Sequence, residues 1–146
     1  MWGAFDLSAT RYRGEYIDPP GDRPPFLQHG MTEKYVSVGF AFGTDEAPEA
    51  GMYAYIAPPP DGIENWRDWG CQDAQWDGSE GLVKLPWNAL VKHPDPASVI
   101  IAFGDAVYRA AVQLAGWSAD LVMPRFDGWH ASSTPPDERH RQAHLP

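Results

Sequence analysis

Seven tryptophans stand in a chain of 146 residues, and three of them crowd into Glu64-Asn65-Trp66-Arg67-Asp68-Trp69-Gly70-Cys71-Gln72-Asp73-Ala74-Gln75-Trp76-Asp77. An indole face stacks on a sugar ring or holds a cation over its π electrons, while neighbouring carboxylates and amides supply hydrogen bonds or countercharge. Trp66, Trp69, Asp73 and Trp76 are therefore candidate ligand-binding residues, and Trp87 joins them. The plainer reading is that the rings cover the rim of a small core, since Trp is often highly but incompletely buried.

A second group offers proton chemistry. Tyr53 and Tyr55 are two residues apart in an extended run, so both phenols project to one side and serve as donors or weak acids bordering a pocket. Cross-strand aromatic pairing accounts for them equally well. Asp6 and Arg11 complete the candidate catalytic set, although an offset of five residues places them on opposite faces of a regular strand. Asp6 shares its face with Ser8, Thr10 and Tyr12, a surface that lines a polar cleft or simply faces water.

Other reactive residue types give weaker signals. His140 and His144 have the spacing of ligands on one helical face, yet no third ligand stands at a diagnostic position. His29 and His93 sit beside turn residues, and Cys71 has no base partner evident in sequence. No phosphate-binding loop, dinucleotide-binding glycine pattern or nucleophile elbow is present. No metal site and no cofactor are expected.

Composition limits the partners. With 11 Lys and Arg against 20 Asp and Glu, the formal charge is -9, a field that repels phosphate backbones and anionic lipid. Nucleic acid and membrane surfaces are thus poor partners, and a small neutral or cationic molecule fits better. One cysteine forms no intrachain disulfide, and the N-terminus Met1-Trp2-Gly3-Ala4-Phe5-Asp6 shows neither a basic stretch nor an apolar one. A cytoplasmic location is the expectation, with no transmembrane helix.

The elements that must position these side chains follow from periodicity. Alternation predicts strands over Trp2–Arg13, with Phe5, Leu7 and Ala9 half-buried, over Tyr35–Phe42 and over Gly51–Ala57. Shorter strands are expected near Gln72–Asp77 and over Leu82–Leu85, the latter at a sheet edge, and Pro86 opens a helical turn through Val91. The run Asp18-Pro19-Pro20-Gly21-Asp22-Arg23-Pro24-Pro25 reads as an exposed loop because proline donates no ladder hydrogen bond.

Asp95 is placed to cap a helix with Pro96 at its first position. Val99, Phe103, Val107, Ala110 and Leu114, widened by Ile100 and Ala111, form its apolar stripe, and Gly116 ends it with Trp117 folding back over Val112. The fold class is α+β, an antiparallel sheet of four to five strands packed against one C-terminal amphipathic helix. Residues 1–130 read as one domain and 131–146 as a mobile tail with little apolar surface to bury.

Several segments, in order, resemble a bacterial family, the domain of unknown function 5996. They are Trp2-Gly3-Ala4-Phe5-Asp6-Leu7-Ser8-Ala9-Thr10-Arg11, Val38-Gly39-Phe40, Met52-Tyr53-Ala54-Tyr55, Leu85-Pro86-Trp87 and Ala110-Ala111-Val112-Gln113-Leu114-Ala115-Gly116-Trp117. The chain is similar to the C-terminal half of longer members, which implies a homodimer in which a second copy, or a different chain, stands where their other half would be. At Glu33-Lys34 it departs from a His-Glu pair of those members. The resemblance implies a fold and no reaction. Two functions therefore stand at this point: a small-organic-ligand-binding protein, with cofactor-independent acid–base chemistry as its catalytic form, or a non-catalytic interaction module or dimerising half-domain.

Overall fold

In the computed structural model of the chain, the residues described are 6–19, 21, 25–45 and 48–119, with the backbone alone for Phe26, Leu27 and His29. The expectations for Trp2–Phe5, for the tail at 131–146 and for His140 and His144 lie outside them.

Five strands form one antiparallel sheet: β1 (Asp6–Tyr16), β2 (Glu33–Ala41), β3 (Gly51–Ala57), β4 (Gln75–Asp77) and β5 (Leu82–Pro86). Their order across the sheet is β1-β2-β3-β5-β4. Among the described residues three α-helices accompany them, α1 (Pro25–Gly30), α2 (Trp87–Leu90) and α3 (Pro96–Ala115), with one 3-10 turn at Ile63–Asn65. The expected α+β class and the single long C-terminal helix are both present.

The register sorts side chains onto two faces, because successive residues of a strand point to opposite sides. Leu7, Ala9 and Arg11 pair with Phe40, Val38 and Val36, and Phe40, Val38 and Val36 pair in turn with Met52, Ala54 and Ile56. This is the side on which α3 lies. Phe103, Leu85, Leu90, Val83 and Val107 are its fully buried large side chains, and Val99, Ile100 and Leu114 pack more loosely around them.

The ends of α3 are set as its sequence dictates. Asp95 Oδ1 accepts from the Ser98 amide at 3.1 Å, Pro96 opens the helix, and Gly116 closes it at φ 65°, ψ 32°. Trp117, expected over Val112, sets its ring edge-on to Tyr108 at 5.9 Å. By length and composition α3 is apolar enough to cross a membrane, which the sequence reading did not expect; here its stripe is packed on the sheet.

Three local expectations are corrected. The first strand runs to Tyr16 and is largely exposed: Leu7 is 64% exposed, because α3 packs mainly on β2 and β3 and meets β1 only through Arg11 and Arg13, beyond the Leu7 end. Leu82–Pro86 is no edge strand; it lies between β3 and β4, the short Gln75–Asp77 strand taking the edge. The proline-rich loop yields at Pro25 to α1, where a proline at the first helical position costs no hydrogen bond.

Candidate functional site

On the sheet face opposite α3, β1 contributes Asp6, Ser8, Thr10 and Tyr12, β2 contributes Tyr35, Ser37 and Gly39, and β3 contributes Tyr53 and Tyr55. The central residue of this band is the smallest. A Cβ on Gly39 would lie 2.5 Å from Tyr53 Cζ and 2.7 Å from the Leu7 carbonyl oxygen, so the phenol lies across the gap that glycine leaves. Crossing β2 in this way lets Tyr53 Oη donate to Asp6 Oδ2. Burial first, and then the hydrogen bond to the Asp6 carboxylate, push the Tyr53 phenol well above its ordinary range, so it stays protonated and acts as a donor.

The rest of the band is tied together. Tyr53 and Tyr55 stack at 6.3 Å, Tyr55 meets Tyr35 edge-on at 5.7 Å, and Tyr35 meets Tyr12 at 5.6 Å. Thr10 Oγ1 and Ser37 Oγ share a hydrogen bond of 3.1 Å. Asp6, Tyr53 and Tyr55 are thus brought onto one surface.

Arg11 is not among them. It projects to the α3 side, its guanidinium 5.2 Å above the Tyr108 ring. There it lines a shallow groove of about 300 Å³ between β1 and α3, with Val36, Val38, Gly104, Asp105 and Tyr108. Asp6 and Arg11 form no dyad, as the period-two geometry requires.

The tryptophan-rich segment gathers at the β4 edge. Gly70 fixes it there: its φ is +76°, and a Cβ would lie 2.2 Å from the Ala102 carbonyl oxygen, so the loop is pressed onto α3 where only glycine fits. Trp69 is buried at 3% exposure and stacks on Trp76 at 6.3 Å with 12° between planes. Trp66 donates its indole N–H to the Asp68 carbonyl at 2.7 Å, and Arg109 reaches Asp68 Oδ2 at 3.2 Å. Between these groups opens a cleft of about 400 Å³ lined by Glu64, Arg67, Trp69, Cys71, Gln75 and Trp76 among others. Trp87 does not line it and instead packs edge-on against Phe40 at 5.4 Å.

Sequence reasoning missed the partners of Cys71, which the structure supplies. Cys71 Sγ lies 3.6 Å from His93 Nε2 and 3.9 Å from Asp73 Oδ2, and His93 Nε2 lies 3.1 Å from Asp73 Oδ2. Cys71 and Asp73 share a tight turn closed by the Ala74 amide on the Cys71 carbonyl at 3.2 Å. His93 is held by the turn after α2, its amide bonded to the Leu90 carbonyl at 3.2 Å. The Cys-x-Asp spacing was readable in sequence. The histidine was not, since it arrives through the β4-β5 pairing and α2.

No curated protein and no solved structure matches the chain. One family model does, over residues 1–124, which span the sheet, α3 and the surfaces just described. The chain belongs to this family, the family of unknown function DUF5996.

Proposed function

We propose that this domain binds a small organic molecule in the cleft beside Trp76, the molecule having one flat apolar face and a hydrogen-bonding rim. The observation that carries this reading is the Trp69–Trp76 stack. Trp69 is locked in the core, and Trp76, packed on it at 6.3 Å, is only partly covered. An aromatic surface held rigid from behind loses little entropy when a ligand stacks on it. Glu64, Arg67, Gln72 and Gln75 around it supply donors and acceptors of both signs.

Testing it requires variants that leave the fold alone. Gln72 and Gln75 are exposed, so Gln72→Ala and Gln75→Ala should leave the melting temperature within about a degree of the parent, as surface changes usually do. A ligand found by tryptophan fluorescence against monosaccharides and heterocyclic metabolites should lose affinity in these variants and in Trp76→Phe. Unchanged affinity in all three would refute the cleft as the site.

A second reading is favoured by a separate observation. Leu7 and Ala9 on the α3 side of β1 are exposed, and no described element covers them. A second copy of the chain packing on this side of β1 would make a homodimer of half-domains. Light scattering reads it directly: a dimer that Leu7→Glu dissociates supports it, and a monomer at every concentration removes it.

A further inference from the structure

We propose that Cys71, Asp73 and His93 form a metal site for a borderline transition ion such as Zn²⁺. Three different donor types, a sulfur, a nitrogen and a carboxylate oxygen, converge with mutual separations of 3.6, 3.1 and 3.9 Å. Zinc bonds of about 2.3 Å to sulfur, 2.0–2.1 Å to nitrogen and 2.0–2.2 Å to oxygen set tetrahedral edges of about 3.5 Å, 3.3 Å and 3.5 Å between the same donors. Each observed separation falls within about 0.4 Å of its edge, a difference that small side-chain rotations close.

The same geometry argues against a nucleophile relay. An imidazole that activates a thiol uses one ring nitrogen for the thiol and the other for the orienting carboxylate. Here Nε2 alone faces both Cys71 Sγ and Asp73 Oδ2, so the three atoms surround a point and do not form a chain. Thiolate and imidazole donors select zinc-like ions over magnesium or calcium, which prefer all-oxygen sets.

The surroundings suit such a site. Two ligands stand two residues apart in one tight turn, and the third is fixed by the turn after α2. The His93 and Asp73 side chains are 25% and 38% exposed, so an ion can enter and water can serve as a fourth donor. Cys71 also lines the tryptophan cleft, which places the site at its wall. The metal site does not depend on the cleft taking an organic ligand, and the two are tested with different variants and probes.

The experiment is zinc loading of the full chain with Zn²⁺ alone, dialysis into metal-free buffer and elemental analysis. About one zinc per chain should remain, and His93→Ala and Cys71→Ser should each weaken retention at least tenfold. The double variant His140→Ala/His144→Ala should retain zinc as the parent does. No retained zinc, retention unaffected by His93→Ala, or retention lost with His140 and His144 overturns the proposal. Two readouts on the unmodified chain hold even where a variant fails to fold. Co²⁺ loading should produce a thiolate-to-metal charge-transfer band, and Zn²⁺ should slow alkylation of Cys71, the only cysteine. Absence of both effects also overturns it.

Discussion

Both faces of the sheet carry aromatic rings and use them differently. Toward α3, Phe103, Val83, Leu85 and Val107 interlock with no polar atom among their side chains. On the opposite face the rings are phenols, Tyr12, Tyr35, Tyr53 and Tyr55, set beside Ser8, Thr10 and Ser37. Residue type nevertheless does not decide burial. On the polar face Tyr35 and Ser37 are only 5% and 2% exposed, whereas Leu7 on the apolar side is largely in solvent. Position in the strand order decides instead: a central strand is flanked by neighbours on both sides, whereas in the edge strand β1 the contacts with α3 fall at Arg11 and Arg13 and leave the Leu7 end uncovered.

The largest contrast should come from one substitution in α3 and one in β1, both on the side of the sheet where α3 lies. Phe103→Ala empties a fully buried ring site and should cost about 3–5 kcal/mol by chemical denaturation. Leu7→Ser, on the same face, should cost less than about 0.5 kcal/mol, as surface changes do. A loss above about 1 kcal/mol for Leu7→Ser would break the comparison, because it would mean that β1 is covered on that side.

The α3 side was also the more legible in sequence. The helix from Pro96 to Ala115 was readable because cap, stripe and terminating glycine are all local features of one segment. Gly51–Ala57 was readable because both flanks break sharply. The β4-β5 hairpin was blurred, since β4 is only three residues long and its one ring, Trp76, stands between Gln75 and Asp77 with no second apolar residue to mark a period. Of the candidate site, the shared side of Tyr53 and Tyr55 and the split of Asp6 from Arg11 followed from period two. The reach of Tyr53 across Gly39 and the arrival of His93 beside Cys71 did not, because each depends on register or on a path through several elements.

Gly39→Ala probes that reach at the next level of effect. The added methyl meets both the Tyr53 ring and the Leu7 carbonyl oxygen, and backbone is the less able to yield. Overpacking of this kind should destabilise by about 2 kcal/mol. A smaller effect is expected for Thr10→Val, which suits a strand but takes from the buried Ser37 hydroxyl its hydrogen-bond partner, for about 1–2 kcal/mol. Adding Ser37→Ala to Thr10→Val should recover much of that loss. Strict additivity of the two substitutions would show that the hydroxyl pair is not coupled.

Tyr53→Phe should have the smallest effect at neutral pH, about 0.5–1 kcal/mol for a hydrogen bond near water, and its signature lies in alkali. Burial and the Asp6 carboxylate raise the Tyr53 pKa in the fold above the 10.0 of a free phenol. A group raised in this way gives its full stabilisation below pH 10, and that contribution declines as the pH climbs, because the unfolded chain releases the proton first. Two other groups slope in the same direction. Tyr108 is raised by burial, and Lys84 is raised by Glu80 and then Asp77. Denaturation midpoints measured from about pH 8 to pH 11 should therefore fall for the parent chain and fall less for Tyr53→Phe, by the equivalent of at most one proton. Tyr55→Phe, which leaves the Tyr53–Asp6 bond intact, is the control that should follow the parent. Parallel curves for Tyr53→Phe and the parent would mean that the phenol is solvated as in the unfolded chain, and the polar face would then lack the ordered Asp6–Tyr53 pair.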